Sequence, residues 1–372
     1  HPIQQLSFGV TITDKWMEEM IAGDKNKRKI WAKVLKTRSS NGYPFLFFTD
    51  NVNKHKPQVY KDLNLHISHS NLCTEIMLPN GKDESFVCDL SSQNILYFDE
   101  WHDTDATEVL TYFLDSVMTE FIQKAKKVKH LERAVKFAEN HRAIGIGWFG
   151  YHSYLQSKMI PYESMEAKRV NIKIAKSIFE NSQAASRKLA IEYGEPPLLK
   201  GYGMRNATTV AIAPTKTSAF IIDQASESTE LKQSNYYIDD LSKLKYTSKN
   251  KFLQKLLQEK GEDTIENWDI ILKNGGSVQK LKCLTDKEKA VFKTFAEVSP
   301  MEVVIQAAGR QKYIDQGQSL NLFIHPDLPI KEVNNIIIEG WRLGIKSFYY
   351  QKNVNAAQEF SKELMTCKSC EA

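Results

Sequence analysis

Apolar positions along the chain follow two spacings, one typical of helices and one typical of buried strands. Apolar residues three or four positions apart predict helices at 14–21, 27–36, 104–123 and 165–193. Short and nearly continuous apolar runs predict strands at 44–48, 208–213, 319–324 and 346–350. Because helices and strands alternate, the pattern predicts an α/β fold in which helices cover a parallel sheet or barrel.

Two of the predicted helices have an apolar face that we expect to be buried. In helix 27–36 this face contains Ile30, Trp31, Val34 and Leu35. In helix 104–123 the apolar residues that recur at helical spacing are Val109, Leu110, Phe113, Val117 and Phe121. Each helix is therefore expected to pack on the rest of the fold through these side chains.

Three segments differ from this alternating pattern. Residues 5–13 lead directly into the first helix, so we expect the chain to begin inside a larger architecture. Residues 234–285 are rich in lysine and contain only short helical patterns, which predicts a surface insertion. From about residue 359 the chain has little apolar content, so the tail is expected to be mobile.

The composition is that of a globular protein. The chain has 372 residues, and its 50 basic and 45 acidic residues are interspersed, which gives little support for a nucleic-acid-binding surface. No apolar run approaches the roughly 20 residues of a membrane span, and the first residues lack the order of a signal peptide. The five cysteines are too few and too unevenly placed for a secreted disulfide scaffold, so we expect a soluble cytoplasmic protein.

The pentapeptide NLCTE, residues 71–75, places a thiol between an amide and a carboxylate. In an extended chain residues two apart share a face, so Asn71, Cys73 and Glu75 could line one pocket. The alternative is a small buried cysteine beside a surface carboxylate. Of the other thiols, Cys283 lies in a lysine-rich stretch and is given no role.

Cys88 and the pair Tyr349-Tyr350 each have a structural and a chemical interpretation. Cys88 lies in SFVCDLSSQNI, which is predicted to be a strand, where a small thiol could simply pack. Adjacent strand residues face opposite ways, so one tyrosine could belong to the core and the other to an interface. A phenol can also lose an electron and a proton together, and two phenols in contact would form a path for a radical.

Cys367-x-x-Cys370 ends the chain with the spacing of a disulfide-exchange pair or of half a zinc site. A zinc site needs two more ligands, and the sequence has no second CxxC and no closely spaced histidine pair. We therefore interpret the pair as a dithiol on a flexible tether, able to reach another site and an external reductant.

Two glycine-rich or hydroxyl-rich segments resemble phosphate-binding motifs. Gly145-x-Gly147-x-x-Gly150 matches the dinucleotide fingerprint, but a helical segment precedes it instead of a strand, so we interpret these glycines as close-packing positions at a helix start. Residues 214–218, PTKTS, follow the predicted strand 208–213. Free N–H groups and hydroxyls at such a turn favour an anion, and an ordinary helix cap is the alternative.

Seven segments occur in the order found in one enzyme family: NLCTE, FVCDLSSQN, HRAIGIGWFG, PTKTS, DQGQSLNLFI, KSFYYQ and CKSC. In this order they resemble the large, catalytic subunit of class I ribonucleotide reductase, from about Tyr43 onward. The resemblance implies the second half of a ten-stranded α/β barrel with its central finger loop. Residues 1–70 would then end the first half-barrel, 71–358 would form the finger loop and second half-barrel, and 359–372 would be the redox-active tail.

The resemblance implies roles for the residues around NLCTE. Cys73 would become a thiyl radical that takes the 3′ hydrogen of a ribonucleoside diphosphate. Glu75 would act as general base on the 3′ hydroxyl, and Asn71 would hold the sugar. Cys88 would be one thiol of the dithiol that supplies two electrons as the 2′ hydroxyl leaves as water.

The resemblance also implies partners. Tyr350 and then Tyr349 would pass a radical to Cys73 from a separate small subunit with a metal-radical cofactor of the di-iron type, while this chain would bind no metal itself. The substrate diphosphate would contact Thr215, Lys216, Thr217 and Ser218. Cys367 and Cys370 would reduce the active-site disulfide again, with thioredoxin or glutaredoxin as the reductant.

The sequence departs from the family pattern in three ways. The second active-site cysteine of the family precedes the finger loop, and no cysteine precedes Cys73 here. The nucleotide-binding cone and effector region of the family would precede His1. Lys216 is not the usual residue of its loop, and the spacing in the tail is shorter than in many relatives.

We expect these departures to reflect a naturally split large subunit, of bacteriophage origin, that assembles with a separate N-terminal piece. A truncated chain would look identical. The alternatives to a ribonucleotide reductase are a reductase-derived fragment that only binds the small subunit, and a different radical enzyme. A glycyl-radical or cobalamin-dependent enzyme would not need the two tyrosines.

Overall fold

The computed structural model describes residues 7–241, 244–325 and 327–353. The helices, fifteen in this part of the chain, are α1 (Asp14–Ala22), α2 (Lys25–Asn41), α3 (Thr49–Lys54), α4 (Gln58–Asp62), α5 (Phe98–Trp101), α6 (Ala106–Ala125), α7 (Glu132–His141), α8 (Tyr151–Ser157), α9 (Met165–Tyr193), α10 (Lys216–Ile221), α11 (Lys251–Glu259), α12 (Ile265–Lys273), α13 (Asp286–Val291), α14 (Pro300–Gln311) and α15 (Ile330–Arg342). Short 3-10 helices span Ile95–Tyr97 and Pro197–Leu199. The predicted tail 359–372 lies outside the described residues.

The strands are short and lie between the helices. They are β1 (Gly9–Ile12), β2 (Phe45–Phe48), β3 (Leu90–Asn94), β4 (Gly145–Phe149), β5 (Tyr236–Leu241), β6 (Leu244–Lys249), β7 (Leu322–Ile324), β8 (Ser347–Phe348) and β9 (Gln351–Asn353). Strands β1 and β2, β3 and β4, and β7 and β9 pair in parallel, whereas β8 is antiparallel to β2 and β5 is antiparallel to β6.

Backbone pairing, together with the direct chain connection from β8 to β9, joins most of these strands into one series. From β2 the series passes through β8 and β9 to β7, and the residues just before β7 pair with the segment 208–212. That segment pairs in turn with β4, which pairs with β3. Strands β1 and β3 are the two ends, and no ladder among the described residues joins them. The α/β prediction is confirmed, and this part of the chain forms an open barrel wall.

Helix α1 shows how local sequence sets an element boundary. The Thr13 hydroxyl accepts a hydrogen bond from the Trp16 N–H, and Gly23 ends the helix in the left-handed conformation with φ of 114°. The side chains of Met17 and Met20 are buried below it. Both limits agree with the helix predicted from the apolar spacing.

The predicted buried face of α2 is confirmed except at one position. Trp31, Val34 and Leu35 are buried, as expected. Ile30 is 53% exposed, so it was wrongly assigned to the core. The helix is also longer at both ends than predicted, because Asp24 caps its first N–H groups and Gly42 ends it.

Of the apolar residues that recur along α6, Leu110 and Phe121 pack against buried clusters, but the other three are exposed. Val109, Phe113 and Val117 are 57%, 59% and 37% exposed, whereas the opposite face is buried. That face contains Thr107, Thr111, Leu114, Asp115, Met118 and Ile122. The Asp115 carboxylate accepts hydrogen bonds from Arg142 and Arg205. Because its polar groups are paired in this way, a helix face that the apolar spacing would leave in solvent is buried.

Gly145 and Gly147 of the false fingerprint lie inside strand β4 and not at a helix start, which corrects that part of the interpretation. A Cβ atom at Gly147 would lie 2.5 Å from the carbonyl oxygen of Ala211, so glycine is required where the neighbouring segment passes closely. Only Gly150 precedes a helix, and its φ is 85°. The close-packing interpretation is supported, at a strand.

Residues of the predicted insertion form a separate core together with two residues that follow it, Val291 and Phe292. It consists of Leu253, Leu257, Trp268, Ile271, Val278, Leu281, Leu284, Val291 and Phe292. Helices α11 and α12 match the predicted short helices, and Gly275 and Gly276 both have positive φ. The domain limits proposed from the sequence stay predictions. Within the described part of the chain no helix is long and apolar enough to span a membrane.

Candidate active site

Residues 71–75 form a turn, so the extended conformation assumed from the sequence was wrong. The Thr74 N–H donates to the Asn71 carbonyl oxygen over 3.2 Å, and Thr74 has a φ of 67°. A β-branched residue is strained in this left-handed region, at a cost of about 1–3 kcal/mol. The turn nevertheless brings the Asn71 side chain back to the end of the segment, where its Oδ1 accepts from the Ile76 N–H over 3.1 Å.

The strained turn is held by segments that lie far away in the sequence. The Ser347 hydroxyl donates to the Thr74 carbonyl oxygen over 3.1 Å. The Gly317 N–H donates to the Glu75 carbonyl oxygen over 2.8 Å. A Cβ atom at Gly317 would lie 2.5 Å from the Met77 Cε, so the loop and the barrel wall are in close contact. Residues 71–77 therefore lie directly against the wall just before β7 and at β8.

Glu75 is a buried carboxylate, with 2% of its surface exposed. Burial raises its pKa above the ordinary value, while hydrogen bonds from Asn71 and Ser319 partly oppose that shift. The Ser319 hydroxyl lies 3.1 Å from Glu75 Oε2 and 2.6 Å from the Cys73 carbonyl oxygen. Asn71 and Glu75 are thus brought together, with Ser319 bridging them to the cysteine backbone.

The Tyr349 phenol points at the Cys73 thiol, with 3.8 Å between the hydroxyl and Sγ. Burial and the Glu75 charge raise the pKa of Cys73, although the hydrogen bond from Tyr349 opposes the shift. Burial and contact with Cys73 raise the pKa of Tyr349 as well. Both groups are therefore protonated at neutral pH, and a hydrogen atom could pass between O and S without leaving a buried charge.

Tyr349 and Tyr350 are in ring contact, although adjacent strand residues normally face opposite ways. Their ring centroids are 4.4 Å apart, and the Phe45 ring lies 4.7 Å from Tyr349 and 4.9 Å from Tyr350. Both tyrosines lie between β8 and β9, outside a regular strand. Tyr349 is buried and Tyr350 is partly exposed, so the contact joins the interior to the surface.

Cys88 is exposed and precedes β3 by two residues, so it does not lie in the strand predicted for it. Desolvation by surrounding protein, followed by the charges of Glu75 and Asp89, raises its pKa to about 11. Cys73 also contributes to this shift. A shift in this direction keeps the Cys88 thiol protonated at neutral pH.

The segment Thr215–Ser218 is not linked by hydrogen bonds to Asn71, Cys73 or Glu75 within the described part of the chain. Residues 208–213 form isolated bridges at Val210 and Ile212 instead of the predicted strand. Thr215 precedes α10 with a φ of 44°, and its hydroxyl accepts from the Ser228 N–H over 2.9 Å. The side chains of Lys216, Thr217 and Ser218 are exposed.

The two thiols predicted to be redox-active in the tail, Cys367 and Cys370, lie outside the described residues. In the ranges 7–241, 244–325 and 327–353, no three His, Cys, Asp or Glu side chains are grouped so that they could hold a metal ion. The metal-radical cofactor and the reductant proposed for partner proteins stay predictions.

Sequence reasoning missed the residues that support the NLCTE turn. These are Gln316, Gly317, Ser319 and Ser347. Ser319 and Ser347 fall inside runs that were predicted to be buried strands. A hydroxyl in a buried strand must find a hydrogen-bond partner, and this signal could have identified both.

The chain is similar in sequence and in structure to known ribonucleotide reductase proteins. The sequence pattern of the family described as "Ribonucleotide reductase, barrel domain" matches residues 10–198 and 197–351. The chain is 40% identical over 327 residues to the ribonucleoside-diphosphate reductase large subunit of Invertebrate iridescent virus 3, and 39% identical over 290 residues to that of Invertebrate iridescent virus 6. These alignments cover 87% and 77% of this chain.

A solved structure is also similar, the Actinobacillus ureae class Id ribonucleotide reductase alpha subunit. It matches 95% of this chain with a TM-score of 0.92 and 54% sequence identity. The chain spans 51% and 30% of the two viral proteins and 66% of the bacterial subunit. With the family pattern covering most of its length, the chain belongs to the ribonucleotide reductase barrel-domain family.

Proposed function

We propose that this chain carries the catalytic centre of a ribonucleoside-diphosphate reductase, which reduces ribonucleotides to deoxyribonucleotides for DNA synthesis. The observation that supports this most directly is the Tyr349 hydroxyl at 3.8 Å from Cys73 Sγ, next to the buried Glu75. A packing cysteine needs neither a phenol nor a carboxylate beside it. Hydrogen-atom transfer needs a neutral donor next to a neutral acceptor, as the Tyr349 phenol and the Cys73 thiol are.

In the proposed reaction each residue has one task. The Cys73 thiyl radical takes the 3′ hydrogen of the ribose, and Glu75 accepts the proton of the 3′ hydroxyl. Asn71, whose amide hydrogen-bonds Glu75, orients that carboxylate and the sugar. Two electrons come from a dithiol that includes Cys88, while the 2′ hydroxyl leaves as water.

The proposal requires partners. A small subunit supplies the radical through Tyr350, and the second thiol of the dithiol comes from the portion of the relatives' length that this chain does not span. The exposed turn Thr215–Ser218 contacts the substrate diphosphate, and Cys367 with Cys370 returns electrons from thioredoxin or glutaredoxin. We place the reaction in the cytoplasm, where such thiols stay reduced.

The test is Cys73→Ser, assayed for deoxyribonucleotide formation in the complete assembly with a small subunit and a dithiol reductant. A serine O–H bond is too strong to form the radical, so turnover should fall below detection. Cys283→Ser is the matched control, because this half-buried thiol packs against the separate core of the predicted insertion. Equal turnover by Cys73→Ser and wild type would reject the proposal.

A further inference from the structure

The backbone of the tyrosine pair departs from regular parallel pairing. In the register of β7 with β9, Leu322 pairs with Gln351, so Asn321 would pair with Tyr350. Regular pairing would then direct the Tyr350 N–H to the Leu320 carbonyl oxygen. Instead, the Tyr349 N–H donates to Leu320 over 2.8 Å, while the Leu322 N–H donates to the Tyr350 carbonyl oxygen over 2.9 Å.

Two tyrosines therefore lie opposite one residue, as in a β-bulge. Bulges re-aim side chains, and they are rare in parallel pairs. The extra residue explains why the two adjacent rings lie on the same side and touch. It also removes ladder partners from two backbone groups, the Tyr349 carbonyl and the Tyr350 N–H, which must be satisfied in another way.

Side chains satisfy both groups. Arg38, which is fully buried, donates from Nη1 to the Tyr349 carbonyl oxygen over 3.2 Å. Asn321, which is 5% exposed, accepts from the Tyr350 N–H at Oδ1 over 3.0 Å. The bulge is thus held by one side chain on each of its two free backbone groups.

The orientation of the Asn321 amide is fixed by its other end. Its Nδ2 donates to the Glu230 carboxylate, whose second oxygen lies 3.0 Å from Lys352 Nζ. An ionised carboxylate can only accept and a backbone N–H can only donate, so the side chain between them must both donate and accept, as the Asn321 amide does. Glu230 has 9% of its side chain exposed, which makes this charge-assisted hydrogen bond a strong one.

Glu230 is itself anchored to the segment that begins at Thr215. The Arg310 guanidinium donates to the Thr229 hydroxyl over 2.9 Å. The Ser228 N–H donates to the Thr215 hydroxyl, and both of these residues have positive φ. Such backbone conformations persist only when their surroundings determine them closely, so the carboxylate is presented from a rigid base.

From these contacts we propose that Glu230 and Asn321 are positioning residues, which maintain the bulge that brings the Tyr349 and Tyr350 rings into contact. This role rests on the proposed function, because the ring contact matters only if the tyrosines carry a radical. Neither residue touches the reacting atoms. Glu230 acts through Asn321, and Asn321 acts through the backbone of Tyr350.

Hydrogen–deuterium exchange at the Tyr350 amide tests the contact without any assay of activity. Glu230→Ala should speed this exchange about 5- to 10-fold, as expected for the loss of a hydrogen bond worth about 1 kcal/mol. Glu230→Gln keeps an acceptor for the Asn321 amide, so its exchange should stay close to that of wild type. Lys352→Met is the matched control, because it removes the ion pair and leaves the Glu230–Asn321 bond in place.

Two results would overturn the inference. One is an unchanged Tyr350 exchange rate in Glu230→Ala, and the other is an equal acceleration in Lys352→Met. In the turnover assay, Glu230→Ala should lower kcat several-fold with an unchanged KM, and Glu230→Gln should restore it. If Cys73→Ser rejects the proposed function while Glu230→Ala still speeds exchange, the structural role stands and only its catalytic purpose is lost.

Discussion

The thiol of Cys73 and the phenol of Tyr349 are shielded from ionisation by the same cause. Both are desolvated, and the nearby Glu75 charge further disfavours a thiolate. A nucleophilic cysteine is built in the opposite way, with a lowered pKa beside a cation. At the scale of single residues, the environment of Cys73 therefore suits hydrogen-atom transfer and does not suit nucleophilic attack.

Glu75→Gln tests the buried carboxylate. Because the folded pKa of Glu75 is raised, ionisation costs stability as the pH rises through that value, and glutamine removes the cost. We expect turnover to fall about 10²- to 10⁴-fold, while the Tm at pH 8 does not decrease. Glu332→Gln, on the exposed first turn of α15, is the control for loss of a carboxylate. Near-normal turnover in Glu75→Gln would remove Glu75 from the reaction.

Tyr349→Phe tests the relay at its inner end. The substitution removes the hydroxyl next to Cys73 Sγ but keeps the ring contacts with Phe45 and Tyr350. We expect a folded protein whose turnover is below about 1% of wild type, a barrier increase of more than about 2.7 kcal/mol. Tyr202→Phe removes an exposed phenol that donates to Asp62 over 2.8 Å, and it should leave turnover unchanged.

The NLCTE turn shows what the sequence could and could not predict at the site. Asn71, Cys73, Glu75 and Tyr349 were all identified from residue types and resemblance, and they do converge. The turn itself was missed because an extended segment would also have placed 71, 73 and 75 on one face. Nothing in the local sequence indicates that hydroxyls 246 and 273 residues later hold the backbone.

At the scale of elements, the close approach of the loop to the wall before β7 is a steric feature that can be tested. Gly317→Ala would place a Cβ atom 2.5 Å from Met77 Cε and 3.0 Å from the Thr74 carbonyl oxygen. We expect the loop to shift, with a loss of about 1–3 kcal/mol of unfolding free energy and a clear loss of turnover.

Gly9→Ala is the matched control for that substitution, since its Cβ atom would meet nothing closer than 3.8 Å. Chemical denaturation measures the free energy of unfolding of both variants. Equal stability and turnover in the two variants would show that the loop is not held by contact at Gly317.

Helices α1 and α6 show when apolar spacing predicts the buried face of a helix and when it does not. Helix α1 was predicted correctly because its caps and its apolar face agree. In helix α6 the apolar spacing did not identify the buried side, because that side carries Asp115, which pairs with Arg142 and Arg205. A periodic pattern counts every aspartate as solvent-exposed, and only the fold supplies the two guanidinium groups.

The exposed apolar residues of α6 have a consequence for the whole molecule. Val109, Phe113 and Val117 lie four residues apart on one helix face. Phe113→Lys should reduce self-association of the purified chain, measured by analytical ultracentrifugation, without lowering its Tm. Leu114→Lys introduces a charge at a residue that is 2% exposed, so it should unfold the chain. Unchanged self-association in Phe113→Lys would show that this stripe does not drive contact between molecules.

The partners of Cys73 come from distant parts of the chain. Tyr349 is 276 residues away along the sequence and Ser319 is 246 residues away. Contacts of such separation form only after large loops have closed, a step whose entropic cost slows folding. During refolding, the pocket should thus be completed in the slowest kinetic phase, after the helices have gained their ellipticity. A single backbone cleavage between residues 75 and 319 would leave the two sides of the pocket joined only by hydrogen bonds and packing.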